Sequence, residues 1–171
     1  RQPLADSMPA DFERFWRVNT LAPILLTQRL AAHVATRHTT GSVVNLLDQR
    51  IARANSGAVP YLLSKKALEA FTLAAALEYA PSLRINAVAP GAVLPPGATA
   101  AKEPAGCFPL GSRPTPEQVA EAVHYLLDAE AVTGQILFVD GGQHLDGAGD
   151  RPSAGAERPG QEAQHTKIHN P

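Results

Sequence analysis

Three short apolar runs, at residues 42–47, 84–88 and 134–139, alternate with longer stretches of helical character, and this order limits the folds open to the chain more than any other feature. Runs this short and this rich in Val, Ile and Leu suit strands buried on both faces rather than helices. Helices are expected over residues 11–36, 61–79 and 116–128. Helix–strand alternation of this kind is the pattern of a parallel sheet with helical crossovers, so the expected fold class is α/β.

Local chemistry places the boundaries. Asp11 and Glu13 stand where acidic residues favour the positive end of a helix dipole. Pro23, which lacks a backbone donor, should bend that helix in its middle. Phe12, Phe15, Trp16, Leu21, Ile24, Leu25 and Leu30 occupy much of its circumference, which predicts burial on more than one side. Thr115 reads as an N-cap, with Pro116 at the first helical position and Gln118 completing a capping box. The preceding residues, 92–116, hold six prolines and three glycines, which predicts a long irregular loop of the lid or binding kind. Residues 146–171 carry Ile168 as their one large apolar side chain and are expected to be a disordered tail after a folded part over 1–145.

Composition removes several function classes. A chain of 171 residues with 44% hydrophobic and 18% charged residues can bury one core, and a net charge of −1 leaves no basic excess for nucleic acid. No apolar run is long enough to cross a bilayer. Cys107, the one cysteine, excludes an internal disulfide or a multi-cysteine zinc site and suits a reducing compartment. It falls in the irregular loop and reads as a bystander. No metal site is expected from the six scattered histidines. The chain begins Arg1-Gln2-Pro3-Leu4, without methionine or a signal pattern, and reads as an incomplete or processed chain whose expected location is the cytoplasm.

The chemistry-bearing pattern is Asp48, Tyr61 and Lys65. Tyr61 and Lys65 are four apart, which on a helix puts them on one face. A neighbouring cation favours the phenolate, so a tyrosine that ordinarily titrates near pH ~10 could exchange its proton closer to neutrality. Asp48, thirteen residues earlier, ends an apolar run, Val43-Val44-Asn45-Leu46-Leu47. A carboxyl at the end of such a strand is where an α/β enzyme holds substrate. A tyrosine and lysine at this spacing also occur in helices that only pack, and Asp48 could simply cap the segment after it. Arg50 and Arg53 fit either a solvated surface or contact with a substrate carboxylate or cofactor phosphate.

Further motifs stand in a fixed order: Val18-Asn19 on the long helix, the Tyr61/Lys65 pair, Arg84-Ile85-Asn86-Ala87-Val88-Ala89-Pro90-Gly91, and Gly134-Gln135 followed by Val139-Asp140-Gly141-Gly142. With these the chain, from about residue 12 to 145, resembles the C-terminal part of a short-chain dehydrogenase/reductase. The resemblance implies a partial Rossmann-type, doubly wound parallel sheet whose N-terminal phosphate-binding half is absent. It implies Tyr61 as general acid, Lys65 lowering its pKa and holding the nicotinamide ribose, and Asn19 holding a proton-carrying water beside Lys65. Pro90, Gly91 and Val93 would pass the nicotinamide together with Tyr61 and Lys65, and the cofactor would be NADPH or NADH. The family also implies a homo-oligomer formed through the long helix and the Tyr61/Lys65 helix.

Two departures refine this. Most of the family carries serine at the position of Asp48; aspartate there resembles pteridine reductases and the bacterial dihydromonapterin or dihydrofolate reductases, which implies reduction of a pterin- or folate-like C=N bond. The chain also contains no T-G-x-x-x-G-x-G segment of the kind that holds a pyrophosphate. The alternative to a reductase is therefore a truncated, non-catalytic remnant that serves only as a fragment or partner subunit.

Overall fold

The computed structural model describes residues 3–54, 57–94 and 108–145. Cys107, the expected tail over 146–171 and most of the long proline-rich loop lie outside them. After a short turn at Leu4–Asp6, one long helical rod runs as α1 (Pro9–Trp16), a π turn (Arg17–Leu21) and α2 (Ala22–Arg37). β1 (Gly41–Leu46), α3 (Val59–Glu78), β2 (Leu83–Pro90), α4 (Pro116–Asp128) and β3 (Ile136–Val139) follow. The strands form a parallel sheet in the order β1-β2-β3, with Gly41 opposite Leu83 and Ala87 opposite Ile136. The α/β class and the partial Rossmann arrangement expected from the sequence are what the chain adopts.

The central strand is covered on both faces because its side chains alternate. Ile85, Ala87 and Ala89 face the layer of α2 and α3, where Val34, Leu68, Ala75 and Ala76 pack. Val88 faces the opposite layer, against Ala122 and Leu126 of α4. Arg84 and Asn86 staple this second layer to the sheet. The Arg84 guanidinium donates to Leu126 O and Ala129 O at 2.9 and 2.8 Å, satisfying carbonyls at the end of α4. The fully buried Asn86 donates to Val132 O at 2.9 Å and accepts from Gln135 N at 2.9 Å.

Several boundaries differ from expectation. The first helix starts two residues early, at Pro9, and the Asp11 carboxylate accepts the Met8 N–H at 2.9 Å. Its irregularity lies before Pro23, in the π turn, where Ala22 N–H reaches Arg17 O. Proline offers no donor to the carbonyl four residues earlier, and the extra residue in the π turn absorbs that loss upstream. Pro60, expected in the loop, sits in the first turn of α3, where its missing N–H costs nothing. Within the chain, the long helix is not buried on several sides: Thr20, Thr27 and Val34 are buried, while Trp16, Val18, Leu25 and Leu26 are exposed. The Thr115–Gln118 capping box forms as read, with Gln118 N donating to Thr115 Oγ1 at 3.3 Å and Thr115 N to Gln118 Oε1 at 3.0 Å.

Candidate active site

Parallel strands end on the same side, and the carboxyl ends of β1 and β2 bring the Asp48 segment and the Gly91 turn to one rim of the sheet. Asp48 lies two residues past β1, between Leu47 and Ile51, which are both buried against Leu68, Ala87 and Ala89. Its Oδ1 accepts Arg50 N–H at 2.8 Å and so caps the single turn Gln49–Ala52. Its Oδ2 accepts the Tyr61 O–H at 2.7 Å. The capping role and the contact with Tyr61 are therefore both present, one on each carboxylate oxygen.

Tyr61 stands on the first turn of α3, with Phe15 of α1 against its ring edge-on at 5.6 Å between centroids. Burial raises its pKa above the ordinary tyrosine value; the Asp48 charge and hydrogen bond raise it further, and Arg50 opposes them. This corrects the expectation that Lys65 would draw the phenol toward neutrality. The Lys65 ammonium lies 5.9 Å from the Tyr61 ring centre and donates instead to Leu46 O at 2.7 Å. Desolvation lowers the Lys65 pKa, with Asp48 opposing. Two unlike shifts thus stand side by side: a phenol that keeps its proton and an ammonium more ready to release one.

Asn19 sits within the π turn, and its amide donates to Ser64 Oγ at 3.0 Å. Ser64 Oγ donates to Tyr61 O at 2.7 Å, and Thr20 Oγ1 to Ser64 O at 2.9 Å. These bonds tie the π turn to the turn of α3 that carries Tyr61. Neither Ser64 nor Thr20 stood out in the sequence; serine one residue before the lysine of a Tyr-x-x-x-Lys segment was the available signal.

Pro90, Gly91 and Val93 occupy the end of β2 and the turn beyond it. A side chain at Gly91 would meet Gln143 Oε1 at 2.6 Å and Asp140 Cα at 2.8 Å, so only glycine fits there. Ala92 N donates to Gln143 Oε1 at 3.0 Å, and the Arg53 guanidinium donates to Gln143 O, which links the Asp48 segment to the turn after β3. In that turn the buried Asp140 accepts Gly142 N at 3.0 Å and His144 N at 2.6 Å, while the His144 ring stacks on Phe138. Arg113 donates to Ala92 O at 2.7 Å, closing the rim from the other side. Among the described residues no cluster of His, Cys, Asp or Glu could hold a metal, and no helix is long and apolar enough to cross a membrane. His165 and His169, four apart, lie outside those residues.

Known proteins are similar to this chain in sequence and fold. The family model described as Enoyl-(Acyl carrier protein) reductase matches residues 1–144. Carbonyl reductase family member 4 of Danio rerio is 39% identical over 108 residues, 61% of this chain and 46% of that protein. L-xylulose reductase of Homo sapiens is 32% identical over 151 residues, 82% of this chain and 62% of that one. Among solved structures, FolM alternative dihydrofolate reductase 1 of Brucella canis, complexed with NADP, matches with a TM-score of 0.78 at 30% identity, covering 90% of this chain and 61% of that one. The chain thus spans less than two thirds of the length of these relatives. With its parallel sheet, its Tyr61/Lys65 helix and a family match over residues 1–144, the chain belongs to the short-chain dehydrogenase/reductase family.

Proposed function

We propose that this chain carries the proton-transfer half of an NADPH- or NADH-dependent reductase acting on a pterin- or folate-like C=N bond. The observation that carries the reading is the 2.7 Å hydrogen bond from Tyr61 Oη to Asp48 Oδ2. Bound nicotinamide would supply a hydride to the ring carbon. The protein must deliver a proton to the ring nitrogen, and Tyr61 would donate it once bound cofactor and substrate draw the phenol's pKa back toward the working pH. Asp48 accepts hydrogen bonds when ionised, so it can orient the N–H groups of a pterin and keep Tyr61 aligned. Lys65, whose ammonium is partly desolvated, would return a proton to Tyr61 after turnover.

The residues present fit a nicotinamide nucleoside. Lys65 has three N–H donors, and its one acceptor among the described residues is Leu46 O, which leaves donors for a ribose diol. Pro90, Gly91 and Val93 lie at the strand ends where the ring would pass. Asn19 acts through Ser64 in setting the height of Tyr61. The exposed Trp16, Leu25 and Leu26 of the long helix and Leu63, Leu73 and Leu77 of α3 favour pairing of two copies through these helices.

Asp48→Ser separates this reading from a general carbonyl reductase. A serine can donate to a ketone oxygen but cannot accept and orient pterin N–H groups as a carboxylate does. A charge-assisted hydrogen bond is worth roughly 1.5–3 kcal/mol, about one to two decades in kcat/KM. The variant is expected to lose that much on a dihydropterin while retaining or gaining activity on a simple ketone. Equal loss on both substrates contradicts the pterin assignment.

A further inference from the structure

The Asp48 segment is held to α3 from both sides by consecutive lysines. Lys65 Nζ donates to Leu46 O at 2.7 Å, two residues before Asp48. Lys66 Nζ donates to Ile51 O at 2.6 Å, three residues after it. Neighbouring helix positions point about 100° apart, so adjacent side chains can reach separate parts of a facing loop. The loop between these two bonds is the one that offers Asp48 Oδ2 to Tyr61, and Tyr61 stands one turn earlier on the same helix. Its backbone bonds are few: Leu47 N donates to Val88 O at 2.8 Å, Ile51 N to Asp48 O at 3.1 Å and Arg53 N to Arg50 O at 3.4 Å. The first reaches β2 and the other two close the turn on itself; none ties it to α3. The lysine bonds do, alongside the packing of Leu47 and Ile51 on Leu68 and the Asp48–Tyr61 bond itself.

We propose that Lys66 is a positioning residue which, with Lys65, brackets Asp48 against α3 and sets the hydrogen bond between Asp48 and Tyr61. Lys65 has a place in the chemistry of its own. Lys66 acts on the reaction through Asp48, without touching substrate or cofactor. As a role in turnover, this rests on the reductase reading above. The geometric part does not, and it can be measured without cofactor or substrate.

The probe is the ring carbon bearing the hydroxyl in protein labelled with 13Cζ-tyrosine, whose chemical shift responds to hydrogen bonding. The chain has three tyrosines, and Tyr61→Phe assigns the Tyr61 signal. Lys66→Met keeps the apolar stem and removes the donor. The expected result is a Tyr61 signal displaced toward that of free tyrosine, with the Tyr79 and Tyr125 signals in place, and recovery of the parent position in Lys66→Arg. In the active protein, kcat should fall about tenfold with KM little changed, less than the ~100-fold that a 1 Å misplacement can cost. An unmoved Tyr61 signal in a folded Lys66→Met protein overturns the proposal even if the melting temperature drops, because Lys66 would then contribute only stability. Lys66→Gln, whose shorter arm cannot span to Ile51 O, gives the same readout should the methionine variant not fold. Loss of folding in both also overturns the proposal. If the parent protein proves inactive on pterins while the signal moves as expected, the reductase reading fails and the positioning of Asp48 stands.

Discussion

At the scale of single residues, the proposed site turns on the pair formed by Asp48 and Tyr61, whose phenol holds its proton more tightly than a free tyrosine in the ligand-free chain. Burial is the first cause, the Asp48 carboxylate the second. A folded-state value above the unfolded one means that this group's contribution to stability is whole below about pH 10 and declines as the pH climbs through the folded value. Phenolate absorbance, taken as the difference between the parent protein and Tyr61→Phe, should therefore show Tyr61 still protonated at about pH 10, where a free tyrosine is half ionised. Asp48→Asn should bring the transition down part of the way, since burial remains. A Tyr61 phenolate appearing near neutral pH in the ligand-free protein would contradict this account. The sequence made Lys65 the governing cation because four-residue spacing is readable in one dimension. Desolvation is not readable in that way, and it reverses the sign.

At the scale of elements, what depends on neighbours within four residues was legible, and what depends on contacts across the fold was not. The Thr115–Gln118 box is complete in four residues and forms as written. Thr115→Ala should destabilise the protein by about 1 kcal/mol, since capping threonines are typically worth that much. In a chain of this size the melting temperature would fall by about 2–4 °C. An unchanged melting curve would show that α4 is held by Arg84 and its apolar face alone. Pro23 was legible as a perturbation but not in its position, because the missing donor is felt four residues upstream, at Asn19. The π turn there also carries the Asn19–Ser64 bond, which joins residues 45 apart in sequence. The Lys66–Ile51 bond was likewise hidden: a Lys-Lys doublet in a helix looks like solvated charge until the facing loop is in place.

At the scale of the whole molecule, the described residues form three parallel strands with helices on both faces. Leu46 at the end of β1 is half exposed, and apolar side chains remain uncovered on α1, α2 and α3. Parallel sheets are ordinarily buried on both faces, so this surface favours further chain or a second copy. The 171-residue chain holds the proposed proton-transfer residues but no glycine-rich pyrophosphate turn. Isothermal titration of the folded chain alone is accordingly expected to give weak NADPH binding or none. Micromolar affinity without any added partner would show that the phosphates are held by residues already present.

The central claim is that Asp48 and Tyr61 serve a ring C=N bond. The most direct measurement is NADPH oxidation by this chain joined to a dinucleotide-binding half, supplied in parallel with a dihydropterin, a dihydrofolate and a simple ketone. The account predicts turnover of the dihydropterin or dihydrofolate with kcat/KM well above that of the ketone. Brisk reduction of the ketone with no turnover of either pterin-containing substrate would contradict it.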